Sequence, residues 1–189
     1  IQYLNEVIEI KPDHDKTLFT IGSVYESDGS VDDAIIYYNK AIEINPNYSK
    51  AYGNLGKLYT DKENYNQAEE VLNTVIQLDP SYANGFFRLG DLFIKQELWE
   101  IAIKNILISV ELDNKDYNKF EKLAHAYNQI EKWDEAANFA QKCTDMKRRS
   151  GGGWYELGFA EFGKGNKTRA KETTRCAYNG STSSPTASD

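Results

Sequence analysis

The sequence repeats itself every 34 residues, and this period limits the possible folds more than any other feature. Three of the four prolines stand 34 positions apart and each ends an acidic and apolar run: Pro12, Pro46 and Pro80. Small residues keep the same register over five periods. One column reads Gly22, Gly56, Gly90, Ala124 and Gly158, and another reads Ala34, Ala68, Ala102, Ala136 and Ala170. A fixed period of this length predicts an array of stacked repeats.

Each period contains two helical patterns separated by a turn. In the second period, Ala51, Leu55 and Leu58 recur at intervals of three and four, which is typical of one face of a helix. After the turn segment DKEN, a second apolar face begins at Ala68 and ends before Pro80. The Gly and Ala columns allow the two helices of a pair to approach closely. Because one pair cannot bury its apolar face alone, we expect neighbouring pairs to stack.

Two segments carry a resemblance to a known family. They read TIGSVYESDGSVDDAIIYYNKAIEINP and AYGNLGKLYTDKENYNQAEEVLNTVIQLDP, and both are similar to tetratricopeptide repeats. The resemblance covers nearly all of the chain outside the C-terminal tail, and it indicates no subfamily. It implies an all-α, right-handed superhelical solenoid of antiparallel helix pairs. It also implies that the first helix of each pair lines a concave groove.

The repeat register predicts four segments. Residues 15–150 are expected to form four complete units, and residues 151–178 a degenerate fifth unit whose second helix caps the array. Residues 1–14 carry the second-helix pattern without its partner helix, which indicates a truncated repeat. Residues 179–189 have the small, polar composition of a flexible tail.

Composition and motifs argue against enzymes, cofactors and nucleic acid. The net charge of −7 opposes binding to a phosphate backbone, and no apolar stretch is long enough for membrane insertion. The segment from Gly158 to Lys164 has the glycine and lysine spacing of a phosphate loop, but its pattern is helical and no Ser or Thr follows. His14 and His125 have no metal-ligand spacing around them, and Cys143 occupies a small-residue packing column. We therefore expect no catalytic residue, cofactor or metal, and a reducing, cytoplasmic location.

The predicted binding site lies on the first helices, which the resemblance places along the groove. Phe19 and Phe87 flank Gly53 in one column, and this arrangement would leave a depression between two aromatic rings. Asn54 and Arg88 offer an amide for a peptide backbone and a guanidinium for a carboxylate. The complete set of candidate groove residues is Phe19, Asn54, Lys57, Phe87, Arg88, Lys122 and His125.

These features favour a protein–protein interaction scaffold that binds an extended peptide or short helix of a partner in its concave groove. The alternative is a substrate-recruiting or regulatory arm of a larger enzyme or assembly, whose other domain lies upstream of residue 1. RNA binding by a helical repeat would require a basic groove, which the acidic composition does not favour. The apolar pattern of residues 1–12 also predicts self-association through that segment.

Overall fold

The computed structural model describes residues 14–179 and contains α-helices joined by short turns, with no strand, over that range. Its ten helices are α1 (Asp15–Ser27), α2 (Val31–Ile44), α3 (Ser49–Asp61), α4 (Tyr65–Leu78), α5 (Ala83–Lys95), α6 (Trp99–Leu112), α7 (Tyr117–Gln129), α8 (Trp133–Met146), α9 (Gly151–Gly163) and α10 (Lys167–Asn179). The first helices of successive pairs begin at Asp15, Ser49, Ala83, Tyr117 and Gly151, which is the 34-residue spacing of the sequence. The predicted all-α repeat fold is confirmed.

The chain divides into two compact units, and the division in the sequence falls after Leu92, within α5. In unit 1, α1 packs on α2, α2 on α3, and α3 on α4. In unit 2, α6 packs on α7, α7 on α8, α8 on α9, and α9 on α10. Within each unit, these helices pack on their neighbours in the chain, as an array of helix pairs requires.

The small-residue columns form the closest contacts within the pairs. The column that begins at Ala34 is buried throughout, with Ala68, Ala102 and Ala136 fully inaccessible to solvent. A Cβ at Gly22 would come within 2.8 Å of the Tyr38 ring. These positions accept only small side chains because the partner helix lies directly against them.

The core of unit 2 is built from the same columns and includes one buried thiol. Trp154 and Leu157 of α9 pack against Ala136 and Ala140 of α8, and the Trp154 indole donates to the Arg148 carbonyl oxygen at 2.8 Å. Cys143 is completely buried, and burial raises the pKa of its thiol to about 11. Its side chain therefore serves packing and is poorly suited to thiolate chemistry.

The turn inside each helix pair contains a residue in the left-handed backbone region. These residues are Gly29, Glu63, Glu97, Glu131 and Gly165, with φ between 58° and 83°. They are 34 residues apart, so the turn geometry repeats with the same period as the helices. Three of the five are glutamates, which adopt this conformation at a cost that glycine does not incur.

Several predictions concern residues on which the structure gives no information. The truncated repeat and the self-association through residues 1–12 lie outside the described residues, except for His14. The same holds for the polar tail beyond Asn179. None of the helices between residues 14 and 179 is both long enough and apolar enough to cross a membrane.

Candidate functional site

Three of the predicted groove residues meet around the hydroxyl group of Tyr38 in unit 1. Tyr38 extends from α2 between the first helices α1 and α3, and its hydroxyl donates to Glu26 Oε2 at 2.7 Å. The same oxygen accepts a hydrogen bond from Asn54 Nδ2 at 3.0 Å. Lys57 Nζ lies 3.0 Å from Glu26 Oε1, and Phe19 places its ring 5.5 Å from that of Tyr38. We call these five residues the Tyr38 cluster.

The electrostatics of the Tyr38 cluster favour a neutral tyrosine and a charged lysine. Tyr38 is fully buried, and burial raises its pKa to about 12 because the phenolate would lose its hydration. Burial also opposes the charge of Lys57, but hydrogen bonds to Asp61 and Glu26 outweigh that effect and raise the lysine pKa. The cluster is therefore an internally satisfied network at neutral pH.

The aromatic depression predicted beside Gly53 is covered within unit 1. Phe19 is half-buried and packs against the ring of Tyr48, with 5.1 Å between ring centroids. Gly53 is buried, and a Cβ added there would lie 3.6 Å from Cε1 of Tyr82. Tyr48 and Tyr82 occupy the same repeat position. Each lies over one residue of the predicted column, Tyr48 over Phe19 and Tyr82 over Gly53.

The remaining candidates of unit 1, Phe87 and Arg88, lie on α5 and are half-buried. The Arg88 Nε atom is buried and has no hydrogen-bond partner among the described residues. An unpaired buried donor of a charged group is costly, so such groups are rare in folded proteins. We refer to these two residues as the α5 anchor pair.

Two candidates belong to unit 2, where both lie on α7. His125 Nδ1 is 3.0 Å from Glu156 Oε1 of α9, and the histidine side chain is 37% exposed. Asn128 donates to Glu156 Oε2 at 2.7 Å and so fixes that carboxylate from the other side. Lys122 is half-buried on the same helix.

The sequence did not indicate the acceptors that hold these side chains. Asn54 bonds to Tyr38, Lys57 to Glu26, and His125 lies beside Glu156. None of these three partners was a candidate. One signal was present for Tyr38: it carries a hydroxyl in a column that continues with Leu72, Ile106 and Ala140. Between residues 14 and 179, no group of three or more His, Cys, Asp or Glu side chains is arranged to hold a metal ion.

Comparison with known proteins gives a family match for one segment of the chain. The tetratricopeptide repeat model matches residues 25–85, which include the whole of α2, α3 and α4. The family match therefore covers about a third of the chain. Curated protein sequences gave no significant match.

Several solved structures resemble most of the chain. YrrB, described as a TPR protein with an unusual peptide-binding site, is 21% identical with a TM-score of 0.72, over 94% of this chain and 91% of that one. MamA is 26% identical with a TM-score of 0.74, over 85% and 94% of the two chains. The pilF protein of Pseudomonas aeruginosa is 19% identical with a TM-score of 0.81, over 90% and 78%. At identities this low, the likeness to YrrB and pilF shows the fold alone.

Proposed function

We propose that this tetratricopeptide array is a protein–protein interaction scaffold, and that the first helices of unit 1 bind an extended peptide or a short helix of a partner. The fold itself favours this role, since stacked helical repeats present extended surfaces to other proteins. The peptide-binding site of YrrB, a structural relative, supports a peptide ligand for this chain as well. We propose the α5 anchor pair, Phe87 and Arg88, as the centre of the site.

The single observation that carries this proposal is the unpaired Nε atom of Arg88. A buried guanidinium nitrogen without an acceptor carries an uncompensated desolvation cost of about 1–3 kcal/mol in the unbound protein. A partner carboxylate or carbonyl oxygen that reached this atom would remove that cost on binding. Arginine also forms charge-assisted hydrogen bonds to carboxylates in two-point geometry.

The other candidates are expected to contribute less to affinity because they already have partners. Asn54 is bonded to Tyr38, Lys57 to Glu26 and Asp61, and His125 is within bonding distance of Glu156. A ligand would have to replace these bonds rather than add to them. We assign Asn54 and Lys57 a role in shaping the site beside the anchor pair.

The anchor pair defines the chemistry of the partner segment. Phe87 offers an apolar contact, while Arg88 points away from it by about 100° because the two residues are adjacent in a helix. The partner should therefore carry a bulky apolar residue and an acidic residue close together in sequence. Aromatic and arginine side chains are the residues on which binding energy is most often concentrated.

A pull-down from native lysate tests this function. The test variant is Phe87→Ala with Arg88→Glu. A matched control is Ile36→Ala with Lys40→Glu, which also truncates one apolar residue and reverses one positive charge, but at exposed positions of the second helix α2. We expect partner proteins to be lost with the test variant and retained with the control.

Circular dichroism should show equal helix content for the wild type and both variants, with Arg88→Gln as a milder substitution if the charge reversal disturbs folding. Recovery of the same proteins in the same amounts by the wild type and the folded test variant would refute the proposed site.

A further inference from the structure

An open aromatic cleft lies between the two helices of the last pair, α9 and α10, in unit 2. Its volume is about 710 Å³. Tyr155, Phe159 and Phe162 line it from α9, and they are 55%, 42% and 64% exposed. Tyr178 of α10 contributes a fourth ring and is 92% exposed. Large rings exposed side by side in this way mark an interaction surface more often than an ordinary protein exterior.

The register of the repeats shows what shape of ligand this face accepts. Phe162 occupies the repeat position of Asn128, which is 2% exposed, and Phe159 occupies that of His125. Both of these earlier residues contact Glu156 of the following first helix, α9. The cleft is therefore formed by positions that receive a packed helix elsewhere in unit 2.

Charge distinguishes this cleft from the rest of an acidic protein. Lys167, Lys171 and Arg175 line its α10 side at successive intervals of four residues, so they form one row along the helix. No acidic side chain is among the described residues that line the cleft. The whole chain carries a net charge of −7, so this row is a local reversal of sign.

We propose that the cleft of α9 and α10 docks an amphipathic helix of a partner protein, with apolar residues between the four rings and acidic residues along the Lys167–Arg175 row. A helix presents its apolar side chains as a narrow ridge, which fits between two flanking helices. A lipid surface is flat on this scale and favours a convex amphipathic helix. This site uses unit 2 residues alone and does not depend on the α5 anchor pair.

The probe is a synthetic helical peptide of about 14 residues, close to the length of α10. It carries leucines at intervals of three and four and glutamates along one flank, with a second peptide in which lysines replace the glutamates. Fluorescence anisotropy of the labelled peptides measures binding. We expect the acidic peptide to bind the wild type and the basic peptide to bind about tenfold or more weakly.

Two cleft variants and one control variant locate the binding. Phe162→Ala, and separately Lys171→Glu with Arg175→Glu, should each weaken the acidic peptide about tenfold or more, because the first removes an exposed ring and the second reverses the row. The charge-reversed variant should bind the basic peptide better than the acidic one. The control, Ile101→Ala with Lys132→Glu, changes exposed residues outside the cleft and should bind like the wild type.

Three outcomes would overturn the proposal. The first is equal binding of the acidic peptide to the wild type and both cleft variants. The second is a wild-type dimer in sedimentation equilibrium that Phe162→Ala dissociates, since the cleft would then hold a second copy of this chain. The third is binding of the wild type, but not of the charge-reversed variant, to phosphatidylserine vesicles. Phe87→Ala with Arg88→Glu should leave peptide binding at the cleft unchanged, so this test and the pull-down fail independently.

Discussion

At the scale of single residues, one hydroxyl group joins the first three helices of unit 1. The Tyr38 oxygen bonds to Glu26 of α1 and Asn54 of α3 while its ring is buried under Gly22. Buried polar networks of this kind stabilise a fold only when every member is satisfied. Removal of the hydroxyl alone should therefore cause a measurable loss of stability.

The variant Tyr38→Phe should lower the free energy of unfolding by about 1 kcal/mol, because Asn54 and Glu26 lose a buried partner. The effect should also depend on pH. Burial raises the folded-state pKa of Tyr38 to about 12, whereas the unfolded value is about 10. The unfolded chain therefore loses this proton first as pH rises, and the contribution of the neutral tyrosine falls between pH 10 and 12.

Urea unfolding at several pH values measures this effect. The stability difference between wild type and Tyr38→Phe should be constant below about pH 10 and should shrink above it. Tyr178→Phe removes a hydroxyl from a side chain that is 92% exposed and serves as the control. A pH-independent difference between wild type and Tyr38→Phe would contradict the assigned burial of the hydroxyl.

The sequence predicts the packing residues of the helices but not the hydrogen-bond partners of their polar side chains. The Gly and Ala columns could be identified because they repeat with the helices. The polar residues Tyr38, Glu26 and Glu156 could not be identified in this way. Each bonds to a residue on another helix, and none recurs at the same position of the other repeats. The left-handed glutamates at 63, 97 and 131 were missed for a different reason: glutamate is not a residue that signals a positive φ.

At the scale of single helices, the two glycines of α3 have opposite environments. A Cβ at Gly56 would come within 2.5 Å of Leu72 Cγ on α4, whereas a Cβ at Gly53 would make an ordinary contact of 3.6 Å with Tyr82. Gly56 is therefore required by the close approach of α3 and α4. Gly53 is not required by packing, and its presence lowers the intrinsic stability of the helix.

The substitutions Gly53→Ala and Gly56→Ala should therefore change stability in opposite directions. Alanine favours a helix by about 1 kcal/mol over glycine, so Gly53→Ala should raise the free energy of unfolding by up to that amount. At Gly56 the overpacking cost of about 1–3 kcal/mol should exceed this gain. Urea denaturation of the two variants measures both effects, and a stabilised Gly56→Ala protein would show that α3 and α4 are less closely packed than described.

The helices themselves were the most predictable elements. The period placed the turn DKEN between two helices, and the structure ends α3 at Asp61 and begins α4 at Tyr65. The outer face of the last pair was less predictable. The polar residues of α10 suggested a capping helix, but the exposure of Tyr155, Phe159 and Phe162 depends on which neighbours cover α9, and the sequence does not specify them.

At the scale of the whole molecule, the fold favours a general role in protein–protein interaction, whereas the position of the binding site depends on the local chemistry of the side chains. Tetratricopeptide repeats build binding surfaces of many specificities on one architecture, so the fold does not name a partner. Seven candidate residues followed from the resemblance to the family, which implies that the first helices line a groove. The structure distinguishes them. Asn54, Lys57 and His125 already have partners, whereas the buried Nε atom of Arg88 has none among residues 14–179.

The most direct test of the central claim is a charge swap at Arg88. A peptide is first selected on the wild-type protein from a displayed random library, and its affinity is measured by isothermal titration calorimetry. The selected peptide should carry an acidic residue near a bulky apolar one. Arg88→Glu should weaken it about tenfold or more, and replacing the acidic residue of the peptide by lysine should restore binding to Arg88→Glu while weakening binding to the wild type. Equal affinity of the selected peptide for the wild type, Arg88→Glu and Phe87→Ala would contradict the account.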